Sequence, residues 1–295
     1  MKWRTITTAL EKIDEKPLRF LRYFIMANYD TSSEKDGILR EDQIYNWLST
    51  NDDQCRYKDK PFKFVEKMVQ NVELYVKCRK PENNSSGNNH LNNIPLLAGK
   101  SYKLHLMLML AASNMNDEAL TEFKRIIESV VYYTVIDKIA TNVTERTFAL
   151  WCSEVRNIKN VEELNAFVTN TVLPTVNEWK RDNELNFIRL GLNSMQQYRI
   201  KFILAKITAY VDALRMGKEE IADLSNYTET AVEIEHIMPQ TCNDKSAYGV
   251  TDDEFSVYIN RLGNLTLLEN SINKSIQNDM YAENTSANKG SKFYL

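Results

Sequence analysis

Two blocks near the C-terminal end decide the fold: Ala231-Val-Glu-Ile-Glu-His-Ile-Met-Pro-Gln240 and Arg261-Leu-Gly-Asn-Leu-Thr-Leu-Leu-Glu-Asn-Ser-Ile-Asn-Lys-Ser275. In the first block, apolar and acidic residues alternate from Val232 to Glu235, which predicts a short strand that Pro239 ends. In the second block, a Gly-Asn turn opens a second strand, predicted over Leu262–Leu268. Asn270 can then cap a helix. The predicted order is strand, loop, strand, helix.

The acidic residue directly before a histidine is the most informative pair in these blocks. Successive residues of a strand point to opposite faces, but at a strand end the backbone can turn and bring Glu235 and His236 toward a common centre. A carboxylate oxygen is a ligand suited to Mg²⁺, and a neutral imidazole beside it can take a proton from water. We expect an amide oxygen from the following helix, that of Asn273, to complete the metal shell. Lys274 is then a candidate phosphate contact.

The motifs that carry a family resemblance are Glu235-His236-Ile237-Met238-Pro239-Gln240, Arg261-Leu262-Gly263-Asn264-Leu265-Thr266-Leu267-Leu268 and Asn273-Lys274. Together they resemble the HNH nuclease domain of the GmrSD-type restriction endonucleases, a ββα-metal finger. The resemblance implies that His236 is the general base and that Glu235 and Asn273 are metal ligands. It also implies that Asn264 is the middle Asn of the HNH name, which braces the loop. The step from Asn264 to Asn273 is similar to that of the HNH finger in CRISPR effector nucleases.

Each of these residues also has a plainer interpretation. A histidine followed by isoleucine, taken alone, is more often a core or surface residue than a catalytic base. Asn264 is equally well explained as a turn residue that tolerates positive φ or as a residue with a direct chemical role. Arg261 and Lys274 are candidate contacts to DNA phosphate, and for Lys274 the alternative is a solvent-exposed lysine.

The composition is that of an ordinary soluble globular protein of 295 residues, with 43% hydrophobic and 26% charged residues. No segment approaches the ~18 consecutive apolar residues expected of a membrane helix, and the first residues do not form a secretory signal. The four cysteines are far apart, which is typical of reduced intracellular thiols rather than of disulfides or zinc ligands. We therefore expect a cytoplasmic protein that does not interact with membranes.

The charge balance excludes a strongly basic DNA-binding protein. The formal net charge is −3, and residues 222–295 contain five Lys and Arg against eleven Asp and Glu. Proteins that bind DNA tightly without sequence specificity are normally basic. Any affinity for DNA must therefore come from local basic clusters, from other domains or from a partner.

The rest of the chain predicts a mainly α fold, with a multi-helix domain over residues 1–218 and a small ββα-metal (HNH-type) domain over 219–295. Clear predicted helices include a buried one over Leu104–Ala112, one capped by Asn116, and one over Tyr198–Leu214, with Gly217 as a helix stop. The Asn-rich segment of about 81–94 predicts a mobile loop, in which His90 would be exposed and without a role. His105 is expected to be a histidine at the edge of the core.

Two hypotheses of different classes follow. The resemblance implies a DNA endonuclease that uses Mg²⁺, with Mn²⁺ as the alternative, in a restriction or anti-phage system acting on foreign, typically modified, DNA. The other hypothesis is a catalytically silent DNA-binding or assembly subunit that retains the HNH fold. Proteins of this family also carry a nucleotide-using N-terminal domain with a D-G-Q-Q-R signature, which this sequence lacks, as it lacks a P-loop. Either this sequence is a C-terminal fragment or subunit, or its activity is not gated by a nucleotide. The implied partners are DNA and, in the first case, a nucleotide-using N-terminal domain or partner subunit.

Overall fold

The computed structural model describes residues 2–81, 89–180, 183–219, 221–241, 248–272 and 291–293. Within these ranges the fold is mainly helical with one small antiparallel sheet, as predicted. The helices are α1 (Lys2–Glu11), α2 (Pro17–Asn28), α3 (Ile44–Thr50), α4 (Asp52–Cys55), α5 (Pro61–Arg79), α6 (His90–Ala98), α7 (His105–Ala111), α8 (Asp117–Ile136), α9 (Thr141–Val155), α10 (Val161–Phe167), α11 (Leu173–Trp179), α12 (Asn183–Ile188), α13 (Gln197–Arg215), α14 (Ser225–Thr228) and α15 (Asp252–Tyr258). The strands are β1 (Val232–His236) and β2 (Leu265–Glu269).

The chain forms two compact units, which divide near residue 182; the second also takes Leu96–Gly99. The division lies upstream of the domain boundary predicted after residue 218, because α13 belongs with α14 and β2. The boundary at 218 stays a prediction about the extent of the nuclease domain. None of the described helices is both long and apolar enough to cross a membrane.

The first unit has a helical core that follows its sequence signals. Every residue of α7 is buried, as its apolar composition predicts. Asn116 caps α8 through its side chain, which accepts a hydrogen bond from the backbone N–H of Ala119 at 2.9 Å. Cys55, Cys78 and Cys152 are buried free thiols, whereas Cys242 lies outside the described residues.

The prediction for His90 is wrong. His90 begins α6, and its Nδ1 lies 2.6 Å from the carboxylate of Glu128, which also accepts a hydrogen bond from Asn93. Glu128 is buried, and a buried carboxylate is retained where other polar groups satisfy it. These contacts hold the last part of the predicted mobile loop, residues 90–94, in a helix.

His105 lies in the core itself rather than at its edge. It is 2% exposed and stacks on Tyr102, with ring centroids 5.8 Å apart. Burial, with a smaller effect of the Arg79 charge, lowers the pKa of His105 to about 3. The imidazole is therefore neutral in the folded protein at neutral pH.

The second unit contains the sheet and the helix α13 that packs against it. The register of the sheet pairs Val232 with Glu269 and His236 with Leu265, so the whole of β1 is matched to β2. Lys201 of α13 fixes the start of β1, because its Nζ donates to the carbonyl oxygens of Glu229 (2.7 Å) and Val232 (2.6 Å). Gly217 ends α13 with a φ of 63°, as predicted for a helix stop.

The end of β2 is anchored by residues close to the C-terminus. Glu269 accepts hydrogen bonds from the Ser291 hydroxyl (2.7 Å) and the backbone N–H of Lys292 (2.8 Å). Phe293 is buried and stacks on Tyr227, with ring centroids 5.0 Å apart. After β2, residues 270–272 are helical.

Candidate active site

The two strands place Glu235 and His236 at the last two positions of β1. Glu235 pairs with Thr266 and His236 pairs with Leu265, and both residues of β1 are partly buried. Because the ladder continues to His236, the two side chains leave opposite faces of the strand. The backbone turn that was predicted to bring them together therefore does not occur before His236.

The ring of His236 is oriented through one nitrogen. Nε2 lies 3.3 Å from Oδ1 of Asn260 and 3.4 Å from Nε2 of Gln240. Burial lowers the pKa of His236, and the hydrogen bond to Asn260 acts in the opposite direction. The imidazole is accordingly neutral at neutral pH, the form that a general base requires.

Asn264 braces the segment that follows His236. Its Oδ1 accepts a hydrogen bond from the backbone N–H of Met238 (2.8 Å), and its Nδ2 donates to the carbonyl oxygens of Met238 (3.1 Å) and Ile259 (2.8 Å). Its own carbonyl oxygen accepts from the N–H of Ile237 at 2.9 Å. Among the described residues, the non-glycine positions with positive φ are Asp14, Arg56 and Lys138. Asn264 is not one of them, so it is not present as a turn residue that tolerates positive φ.

The segment between the strands was predicted to be a variable loop, but it contains α15 and a small core. Thr251 and Glu254 form a capping box at the start of α15, a T-x-x-E signal that is legible in the sequence. Phe255 of α15 packs with Met238 and Ile259, all three buried. This core contains Met238 and Ile259, the two residues whose backbone carbonyl oxygens accept hydrogen bonds from the Asn264 side chain.

A second feature that sequence reasoning missed is a short antiparallel pairing of residues 190–192 with 260–262. Leu192 donates to the carbonyl oxygen of Asn260 (2.9 Å), and Leu262 donates to that of Leu190 (2.8 Å). Gly191 forms an isolated bridge with Arg261. We name residues 190–192 the docking segment, since it fixes the backbone of Asn260.

Arg261, a predicted DNA contact, is partly engaged within the protein. Its Nη1 donates to the carbonyl oxygen of Ile188 (3.2 Å) and its Nε to that of Val257 (3.3 Å). A guanidinium group carries five N–H donors. The side chain is therefore held in place with donors left over.

The donors available for a metal ion are oxygen ligands. Glu235 offers a partly buried carboxylate at the end of β1, and Mg²⁺ prefers one or two such groups together with water. No group of three or more His, Cys, Asp and Glu side chains that could hold a metal lies within the described part of the chain. Glu235 is thus the predicted metal ligand that lies among the described residues, and its carboxylate is of the oxygen type that Mg²⁺ binds. The other predicted ligand, Asn273, and the predicted phosphate contact Lys274 lie outside the described residues.

Comparison with known protein families gives a match that covers the part of the second unit from residue 182 onward. Residues 179–295 match the C-terminal domain of the GmrSD restriction endonucleases. The comparison with individual curated proteins found no match to this chain. The matched region starts shortly before the docking segment, so it contains every residue of the candidate site described above. Residues 179–295 therefore belong to the C-terminal domain family of the GmrSD restriction endonucleases.

Proposed function

We propose that the second unit is a metal-dependent DNA endonuclease of HNH type, which hydrolyses phosphodiester bonds of foreign DNA in a restriction or anti-phage system. The observation that carries this proposal is the frame around His236: a neutral imidazole at a strand end, with Asn264 joining the backbone of Met238, which follows His236, to that of Ile259, which precedes Asn260. This frame lies within a region that belongs to a restriction endonuclease family.

The order of elements supports an HNH-type finger. β1, the braced connection, β2 and the helical residues 270–272 follow one another along the chain. In a ββα-metal finger the helix after the second strand would bring Asn273 toward the end of β1. We infer that Glu235 and Asn273 hold the metal ion and that Lys274 and Arg261 contact the DNA backbone.

The chemical roles follow from the side chains. The neutral imidazole of His236 accepts a proton from the water that attacks phosphorus. Glu235 and Asn273 would hold Mg²⁺, with Mn²⁺ as the alternative, and a bound ion would stabilise negative charge on the phosphoryl oxygens. Asn264 keeps the segment after His236 in one conformation. The remaining N–H groups of Arg261 are available to a phosphate oxygen.

A catalytically silent DNA-binding or assembly subunit is the second candidate function. The observation in its favour is the acidic balance of residues 222–295, with eleven Asp and Glu against five Lys and Arg. An active nuclease with this charge needs another source of DNA affinity. A nucleotide-using domain or partner subunit would be such a source.

The test is nicking of a supercoiled plasmid with Mg²⁺ or Mn²⁺, beside an EDTA control. His236→Ala should lower the cleavage rate roughly 10²- to 10⁴-fold, since a positioned general base contributes about that much. Its folding and DNA association should remain nearly unchanged. Glu235→Gln should instead weaken metal binding, so that a higher metal concentration restores part of the activity.

The matched control is Glu233→Gln, two residues earlier on the same strand. Glu233 accepts a hydrogen bond from Nδ2 of Asn270 at 2.6 Å, and the amide oxygen of glutamine can still accept it. This variant should cleave like the parent protein. Cleavage by His236→Ala at the parent rate would exclude His236 as the base, and absence of metal-dependent nicking by the parent protein would favour the silent subunit.

A further inference from the structure

The ring of His236 has polar partners at one nitrogen only, within the described part of the chain. Asn260 and Gln240 both approach Nε2, at 3.3 and 3.4 Å, whereas Nδ1 makes no hydrogen bond to a described residue. A neutral imidazole carries one proton, and the nitrogen that carries it is a donor while the other is an acceptor. The partner that controls Nε2 therefore decides which nitrogen can take up a proton.

The two amides make opposite demands on Nε2. Oδ1 of Asn260 requires a hydrogen on Nε2, whereas the NH₂ group of Gln240 requires a lone pair there. Asn260 lies closer, and a rotation of the Gln240 amide that presents its oxygen would satisfy both contacts, because the two ends of an amide are assigned from the hydrogen-bond network. The consistent arrangement has the proton on Nε2 and the lone pair on Nδ1.

Asn260 is held more firmly than Gln240. Its carbonyl oxygen accepts the hydrogen bond from Leu192, and the preceding residue, Ile259, is buried and bonded through its carbonyl to Asn264. Gly191 of the docking segment lies so close to Asn260 that a Cβ atom on residue 191 would be 2.0 Å from the backbone carbonyl oxygen of Asn260. The Gln240 side chain, in contrast, is exposed.

We propose that Asn260 is a positioning residue of the nuclease, which holds His236 in the Nε2–H tautomer and leaves Nδ1 as the nitrogen that accepts the proton of the attacking water. The catalytic role of Asn260 rests on the proposed function, whereas its effect on the tautomer of His236 does not. The water loses one proton to Nδ1, and its oxygen forms the new bond to phosphorus. The bond to the leaving oxygen breaks, and that oxygen keeps the electron pair and takes a proton from solvent.

The first experiment is ¹⁵N NMR of histidine-labelled, metal-free protein at a pH where His236 is neutral. The chain has three histidines, so the signals of His236 are assigned by their loss in His236→Gln. The parent protein should show the proton on Nε2. Asn260→Leu should show a larger fraction of Nδ1–H, because Nε2 then has no fixed acceptor and the exposed Gln240 amide can present its NH₂ group to it. Asn260→Asp, which keeps the acceptor, should restore the parent pattern.

Gln240→Leu is the matched comparison, since Gln240 contacts the same nitrogen. It should leave the tautomer of the parent unchanged. A parent protein with Nδ1–H, equal tautomer populations in the parent and Asn260→Leu, or a change in Gln240→Leu alone would each overturn the proposal. The NMR experiment gives an answer whether or not the protein cleaves DNA.

The second experiment measures cleavage in the same variants. Asn260→Leu should lower kcat about 10- to 100-fold, as loss of an orienting partner commonly does, with little change in KM and with recovery in Asn260→Asp. An active parent protein with an equally active Asn260→Leu would refute the positioning role and leave the proposed function standing. An inactive parent protein would refute the proposed function, while the NMR result would still decide the role of Asn260.

Discussion

Gly191→Ala is the substitution that most directly tests how the site is held together. A Cβ atom at this position would lie 2.0 Å from the carbonyl oxygen and 2.8 Å from the carbonyl carbon of Asn260. Both are backbone atoms, so no side-chain rotation can relieve the contact. The docking segment must move away by more than an ångström before the new atom reaches an ordinary van der Waals distance.

The size of the effect follows from what that movement breaks. The hydrogen bond from Leu192 to Asn260 (2.9 Å) and that from Leu262 to Leu190 (2.8 Å) both span the contact. Each is worth about 1 kcal/mol net, and overpacking adds roughly 1 to 3 kcal/mol where the structure cannot relax. We expect the free energy of unfolding of the second unit to fall by roughly 3 to 5 kcal/mol.

The assay must report on the second unit alone. All four tryptophans, Trp3, Trp47, Trp151 and Trp179, belong to the first unit, so tryptophan fluorescence measures the first unit and serves as an internal control. Amide hydrogen exchange of β1 and β2 measures the second. A loss of 3 to 5 kcal/mol corresponds to exchange that is roughly 150- to 5,000-fold faster where exchange follows the opening equilibrium.

Gly263→Ala is the matched glycine control. Its added Cβ atom would meet no atom within 4 Å, and its φ is not in the left-handed region. The stability should change by less than about 1 kcal/mol and can rise slightly, because alanine restricts the unfolded chain. Equal exchange rates in Gly191→Ala and Gly263→Ala would refute the close approach on which the docking segment depends.

Two further predictions concern stability. His105 is neutral in the folded protein because burial lowers its pKa to about 3, whereas the pKa of a histidine in the unfolded chain is about 6.5. Between about pH 6.5 and pH 3 the unfolded state therefore binds a proton that the folded state excludes, and the free energy of unfolding falls as the pH falls. Between pH 8 and pH 5 the free energy of unfolding of His105→Phe should therefore fall by about 2 kcal/mol less than that of the parent protein, measured by urea unfolding with tryptophan fluorescence. Equal falls in the two proteins would contradict this. Lys201→Met removes two hydrogen bonds to the backbone next to β1 and should destabilise the second unit by about 2 kcal/mol in hydrogen exchange, whereas the exposed Lys218→Met should have no effect; equal exchange in both variants would argue against an anchor at Lys201.

The elements that are predicted correctly are those whose signals are local. Alternation over Val232–Glu235 predicts β1, the apolar run predicts α7, and the asparagine before the acidic turn predicts the start of α8. Each signal lies within the element that it specifies. The capping box at Thr251 is also local, and attention to it would have predicted α15.

The features that sequence reasoning missed depend on partners far away in the chain. His90 is ordered by Glu128, 38 residues later, and no residue near His90 indicates that partner. The docking segment pairs with residues about 70 positions further on, and a glycine at 191 is equally compatible with an ordinary turn. Asn260 carries no local signal either, because an asparagine before Arg261 is compatible with an ordinary turn and its partner His236 lies 24 residues earlier. Asn273 and Lys274 remain predictions.

The amide of Asn264 is fully used in holding the backbone of the candidate site. Both hydrogens of its amide donate to backbone carbonyl oxygens, and its oxygen accepts a backbone N–H. No donor of this side chain is left for a phosphate or a water molecule. Its bonds join Met238, two residues after His236, to Ile259, one residue before Asn260. The same amide thus fixes the backbone beside the histidine and beside its partner, and the His236–Asn260 distance depends on it.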